Sequence, residues 1–195
     1  MRRLISLFLA CALLVGVAVA GNSQNKPDPK RIDAIWGVVS SRITHQSDVW
    51  FDSGDFSVCV NILRFMAQAN PGDFNDATNL GWMLENTDQV DQAVAEYARY
   101  QRENPHTGKG PFPLAYFYFY HKAFAKVPPL LEPTLPLNPE SNNYRLLAHA
   151  YDRLGMLNDS VRVWQALIAR HPEDLPAKKN LAQVQSKLGA APTKK

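Results

Sequence analysis

The sequence predicts an all-α solenoid, a row of helix–turn–helix units stacked side by side. Three observations predict it. Prolines recur in step: Pro71, Pro105, Pro139 and Pro172 are spaced by about 34 residues, a period suited to one two-helix unit. The residues between them keep register. Leu80-Gly81, Leu114-Ala115 and Leu147-Ala148 each stand at one fixed distance before the closing proline of their unit. Trp50, Leu84, Tyr118 and Tyr151 each stand at a second fixed distance before it. Within each unit, apolar residues recur at spacings of three and four, as a helix packed along one side requires.

Asn75 to Pro105 shows the unit best. Ala77, Leu80, Gly81 and Leu84 share one face of a first helix. Val90, Ala93, Val94, Tyr97 and Tyr100 share one face of a second. Between them Asn86-Thr87-Asp88 has the short polar side chains that end one helix and cap the next. Gly81 and Ala93 are small enough to let two helices cross closely. Pro105 lacks an N–H and stops the second helix.

Leu80-Gly81, Leu84, Ala93, Tyr97 and Pro105 match the pattern of a tetratricopeptide repeat, and the unit resembles that family of helix pairs of about 34 residues. Ala77 stands where the family often has a large aromatic, and Tyr100 where it prefers a small residue. The resemblance implies a right-handed α-solenoid with a C-terminal capping helix. Its repeats are expected at about 40–73, 74–107, 108–140 and 141–174.

The other units follow with departures. Asn22 to Lys30, NSQNKPDPK, reads as a flexible linker over 21–30. The repeat domain is expected over 31–189. Ile32, Ile35, Trp36, Val39, Ile43, Gln46 and Trp50 then follow helical spacing. Ser53-Gly54-Asp55 turns the chain, and Val58, Cys59, Ile62, Leu63 and Met66 form the next buried face. The third unit opens on an aromatic helix, PFPLAYFYFYHKAFAK. Its second helix should lie in VPPLLEPTLPLNP, where Pro128, Pro129, Pro133 and Pro136 allow only a short helical turn or an extended segment. In the fourth unit Leu147, Ala148, Tyr151, Gly155, Trp164 and Pro172 match, with Asn158 or Asp159 as helix cap. An end helix is expected over 175–188, with Leu181, Ala182, Val184 and Leu188 inward and Lys178, Lys179 and Lys187 in water. Such a helix covers the last exposed core of a solenoid. Residues 190–195 read as a frayed, disordered tail.

The first 20 residues have the form of a secretory signal: Arg2-Arg3, an apolar run, then Ala18-Val19-Ala20 as a cleavage site. Cleavage after Ala20 would leave Gly21 first and place the chain in the periplasm or outside the cell. Retention of the run as an anchor facing the periplasm is the alternative, since Leu4 to Ala20 is just long enough to span. Cys11 also raises a lipoprotein signal, which Phe8-Leu9-Ala10 fits poorly. The formal charge of +3 falls to about +1 without the leader. With scattered Lys and Arg, that balance does not point to nucleic acid. Membrane contact is expected only through an uncleaved N-terminal segment. After cleavage Cys59 is the remaining cysteine, so no disulfide forms within the chain. It reads as a small buried thiol.

Chemistry is hard to find. No two of His45, His106, His121, His149 and His171 stand three or four apart, as a helical metal pair requires. No nucleophile motif or phosphate loop is present, so neither catalytic residues, metal nor cofactor is expected. Asn158-Asp159-Ser160 is a glycosylation sequon. The resemblance implies instead that first helices line a concave groove. It places Thr44, Asp48 and Phe51, then Thr78, Trp82 and Glu85, then Phe112, Tyr116, Phe119 and Tyr120, then Arg145, His149 and Asp152 there. The family's carboxylate clamp uses polar residues where this chain has Trp82 and Tyr116, so that mode is rejected. Trp82, Phe112, Tyr116, Phe119, Tyr120, Arg145 and His149 are the expected partner-binding residues. The rings form an open groove for a protein or peptide, or they are core covered by Val127 to Pro139 or the linker. The chain thus reads as a protein-interaction scaffold of a cell-envelope assembly, or as a tethered subunit of an inner-membrane complex. N-terminal sequencing of exported protein is expected to begin at Gly21; a start at Met1 means the apolar run is retained.

Overall fold

A computed structural model describes residues 28–137 and 139–190. The expected signal, most of the expected linker and 191–195 lie outside them. The chain divides into two units, Met1–Val38 and Val39–Lys195. In the first, the described residues are the start of helix α1 (Pro29–Asp52). The linker therefore ends earlier than expected: Pro29 and Lys30 are already helical. Proline suits a first helical position because its missing N–H would go unpaired anyway. Asp28 closes the turn, accepting from Lys30 N through Oδ1 at 3.1 Å.

The second unit is all-α among its described residues, a right-handed solenoid of helix pairs with a capping helix. The end of α1 meets α2 (Phe56–Ala69) near the turn, where Cys59 Sγ lies 3.6 Å from Ser47 O and Phe51 meets Phe56 at 5.4 Å. Then come α3 (Phe74–Asn86) with α4 (Val90–Glu103). Next is α5 (Phe112–Tyr120), followed by short turns that include α6 (Pro128–Leu131). The last pair is α7 (Ser141–Arg153) with α8 (Leu157–Arg170), and α9 (Leu175–Ala190) caps it.

The expected apolar faces mostly form the core. Ala77, Leu80, Gly81 and Leu84 of α3 are buried, as are Ala93, Tyr97 and Tyr100 of α4. Val90 stays exposed. On α2, Cys59 and Met66 are buried, but Val58 faces water and Val60 and Ala67 are inside. No residue of α1 is fully buried.

Gly81 explains how closely α3 and α4 cross. A Cβ there would lie 2.1 Å from Tyr97 Cε1. The ring has no room to yield. It is 5% exposed, packs on Phe117 at 6.1 Å, and its hydroxyl donates to Glu85 Oε1 at 2.7 Å.

Several caps differ from expectation. Asn86-Thr87-Asp88 ends α3: Asn86 Nδ2 donates to Trp82 O at 2.7 Å and Thr87 Oγ1 to Met83 O at 2.9 Å. It does not cap α4, whose N-cap is Gln89 without a side-chain bond. Asp88 instead takes a positive φ of 59° to make the turn. Asn158 and Asp159 fall inside the first turn of α8, whose N-cap is Met156. The true acidic caps lie elsewhere. Asp73 accepts from Asn75 N and Asp76 N at the start of α3, and Asp174 accepts from Ala177 N at the start of α9.

The third unit breaks earlier than its sequence suggested. The aromatic helix ends at Tyr120, and Lys122 turns the chain at φ 60°. The prolines then hold the chain in short turns, including α6 and a 3-10 segment over Glu132–Leu137. Val127 and Leu131 still reach full burial in the core of α7 and α8. Glu132 fastens the segment, accepting from Tyr151 Oη at 2.9 Å and pairing with Arg162 at 2.7 Å. In α9, Ala177 and Val184 are the buried residues, while Ala182 and Leu188 are exposed. Lys187 does not merely face water; it pairs with Asp152 of α7 at 2.6 Å.

Gly81→Ala is expected to cost about 1–3 kcal/mol through overpacking against Tyr97. Gly189→Ala, with open space around it, should be neutral or stabilise by up to about 1 kcal/mol. Thermal unfolding followed by circular dichroism checks both.

Candidate functional site

Helices α3 and α5 present ring-bearing stripes at i, i+4 and i+8, with Thr78 between the two rings of α3. Phe74, Thr78 and Trp82 form the stripe of α3; Phe112, Tyr116 and Tyr120 form that of α5. Such spacing puts side chains one above another on a helix. Trp82 and Tyr116 lie one repeat period apart. They are 50% and 55% exposed, and Tyr120 is 72% exposed.

Between α3 and α5 the stripes border a cleft of about 590 Å³ lined by Trp82, Phe112, Tyr116 and Tyr120 with Phe74, Thr78, Asn79, Glu85 and His121. Rings support one another along its floor and walls. Phe112 stacks on Tyr116 at 6.1 Å and meets Phe74 at 6.4 Å. Phe51 of α1 lies 5.9 Å from Trp82. At the far end Glu85 accepts from Tyr97 through one oxygen and meets His121 Nε2 at 3.2 Å through the other. Burial and the Glu85 carboxylate both hold the Tyr97 phenol well above its ordinary range. It therefore serves as a fixed donor.

Four of the seven expected residues thus gather in one cleft. The other three do not. Phe119 packs on Phe124 at 5.1 Å and lines a neighbouring cleft with Lys122, Leu146 and Arg153, which Tyr116 and Tyr120 also border. Arg145 is bound at the turn before α9, donating to Asp174 Oδ2 and to Asn142 Oδ1. His149 is half-buried with its ring edge-on to Trp164 at 5.0 Å. Arg145 and His149 are thus held by local partners, while Asp48, Thr78 and Glu85 do line the clefts. The Pro-rich segment packs into the core of α7 and α8 through Val127 and Leu131, away from Trp82. Phe74, Asn79 and His121 are lining residues that the sequence reading missed or weighed for other roles. The regular stripe from Phe74 to Trp82 was the signal available for the first.

Among the described residues no three His, Cys, Asp or Glu side chains gather as a metal site. No described helix is long and apolar enough to cross a membrane. Cys59 is buried with its thiol directed at Ser47 O, 3.6 Å away.

No family model matches the chain, and no curated protein matches it. Its similarity is to solved structures. A crystal structure of MamA protein aligns with a TM-score of 0.59 at 16% identity, covering 78% of this chain and 84% of that one. A MamA RS-1 double mutant aligns with a TM-score of 0.58 at 18% identity, covering 76% and 84%. MamA residues 41 to the end from Desulfovibrio magneticus RS-1 give 0.57 at 18% identity, covering 76% and 85%. At such identity the likeness is one of fold, a tetratricopeptide-like helical array.

His149 supplies a pH prediction. Burial lowers its pKa from 6.5, and Arg153 and Lys187 add to the effect against Asp152. The unfolded chain therefore binds this proton more readily. The neutral ring's contribution is intact above the unfolded pKa and declines as pH falls below it. Melting temperature is expected to drop between pH 7.5 and pH 5, and His149→Gln should flatten that slope relative to the parent.

Proposed function

We propose that the chain is an exported interaction scaffold that captures a protein or peptide in the cleft between α3 and α5. One observation carries the reading. Trp82 and Tyr116, in register on successive first helices, and Tyr120 one turn beyond Tyr116 stand at least half exposed beside a cleft large enough for several side chains. Folding alone gives no return for leaving such rings in water; Tyr97, Tyr100, Tyr144 and Trp164 are buried, though Phe51, Phe56 and Phe65 near the first pair are exposed as well. Rings offer large contact area with few torsions to freeze, so they serve as anchors in binding. The fold shared with MamA supports an array of helix pairs, a scaffold whose function lies in its surface.

The reading places function in recognition and assigns no catalytic step. The cleft holds a carboxylate and an imidazole, Glu85 and His121, but these bond to each other and to Tyr97. The signal-like leader supports a cell-envelope setting for this scaffold. Phe119, Arg145 and His149 are not retained as cleft contacts; Arg145 and His149 act in packing and in the turn.

Trp82→Ala combined with Tyr116→Ala is expected to abolish capture of the native partner in crosslinked pull-downs from the envelope. The melting temperature should hardly change, since exposed substitutions stay within about 0.5 kcal/mol. Loss of stability in proportion to loss of capture would show that the rings are core.

A further inference from the structure

The first helices carry not one cleft but three that join. A cleft between α1 and α3 is lined by Asp48, Phe51, Asp76 and Trp82, with Asn79 among its other walls. It shares Asn79 and Trp82 with the α3–α5 cleft. That cleft shares Tyr116 and Tyr120 with a third, between α5 and α7. Charge is sorted along this path. The first two clefts are lined by three carboxylates, Asp48, Asp76 and Glu85, and by no Lys or Arg. The third is lined by Lys122 and Arg153 and by no Asp or Glu.

The acidic stretch also holds the exposed rings. Asp48, Trp82 and Tyr116 occupy the same position in successive repeats. Carboxylates beside an aromatic face recognise a cation twice, by ion pairing and by attraction to the ring face. Burial and the neighbouring Asp73 charge raise the pKa of Asp76. A cation placed beside it would relieve both effects.

We propose that the groove takes an extended peptide whose Lys or Arg side chain lies against Trp82, beside Asp48 and Asp76, and whose following residues run past Tyr120 toward Lys122 and Arg153. This rests on the cleft being a binding groove. The charge sorting adds both the side-chain class and the direction in which acidic residues of the peptide are welcome. Lys122 and Arg153 would repel a second cation at that end.

The test is fluorescence anisotropy with the purified full chain and three fluorescein-labelled peptides. They share a Leu- and Pro-containing sequence and differ at one pair of positions, which is Lys, Gln or Glu. The Lys peptide is expected to bind about tenfold tighter than the Gln peptide, the size of one ion pair with a ring contact. Added salt should shrink the difference. Asp48→Asn with Asp76→Asn should remove it while the circular dichroism spectrum stays helical. Asp48→Lys should move the preference toward the Glu peptide, a gain that a misfolded variant does not produce. Equal binding of all three peptides that is lost in Trp82→Ala, Tyr116→Ala leaves the groove standing and overturns the cation assignment. A Lys preference untouched by the aspartate substitutions overturns it too. Binding of none of the three, or self-association of the chain in their place, overturns both readings.

Discussion

Tyr97 is the residue on which the arrangement turns. Its ring fills the space that Gly81 leaves on α3 and rests on Phe117 of α5. Its hydroxyl is bonded to Glu85, whose second oxygen meets His121 beyond the end of α5. One buried side chain of a second helix thereby fixes the distance between two first helices. A helix pair of this size buries too little apolar surface to stand alone, so each draws its core from the next. The same contact sets the width of the cleft, because Glu85 and His121 line it. Packing and recognition are two faces of one interaction.

The third unit shows what this sharing permits. Prolines remove most of its second helix, yet Val127 and Leu131 reach the positions that a helix would have filled. Glu132 replaces the missing helix-to-helix contacts with bonds to Tyr151 and Arg162. Burial and the bond to Glu132 push the Tyr151 phenol up to about 12, so it remains a donor at any ordinary pH. Deprived of a full partner, α5 divides its rings. Phe117 goes into the core, Phe119 meets Phe124, and Tyr116 and Tyr120 stay in water. Tyr116 and Tyr120 thus stand exposed on the groove side of α5, as Trp82 does on α3, whose second helix is complete.

Much of the fold was legible because its signal repeats. Proline spacing and the Leu-Gly position each appear several times, and the buried faces of α3 and α4 follow directly from their period. What was not legible depends on single partners. Asn86-Thr87-Asp88 and Asn158-Asp159 looked like caps, but a cap needs an extended backbone at its own position, and these residues lie in turns or within the helix. Arg145 was assigned to the groove by repeat position and was taken instead by Asp174, at the start of the capping helix. His149 was taken by Trp164. The rings at Trp82, Phe112, Tyr116 and Tyr120 come together because periodicity alone places them, and no stronger polar partner competes.

The central claim is that the cleft rings Trp82, Tyr116 and Tyr120 are surface while Tyr97, Tyr100, Tyr144 and Trp164 are core. Hydroxyl-radical footprinting read by mass spectrometry measures this on the unaltered chain. The account predicts rapid oxidation of Trp82, Tyr116 and Tyr120 and strong protection of Tyr97, Tyr100, Tyr144 and Trp164. Protection of Trp82 and Tyr116 to the level of Trp164 would contradict it.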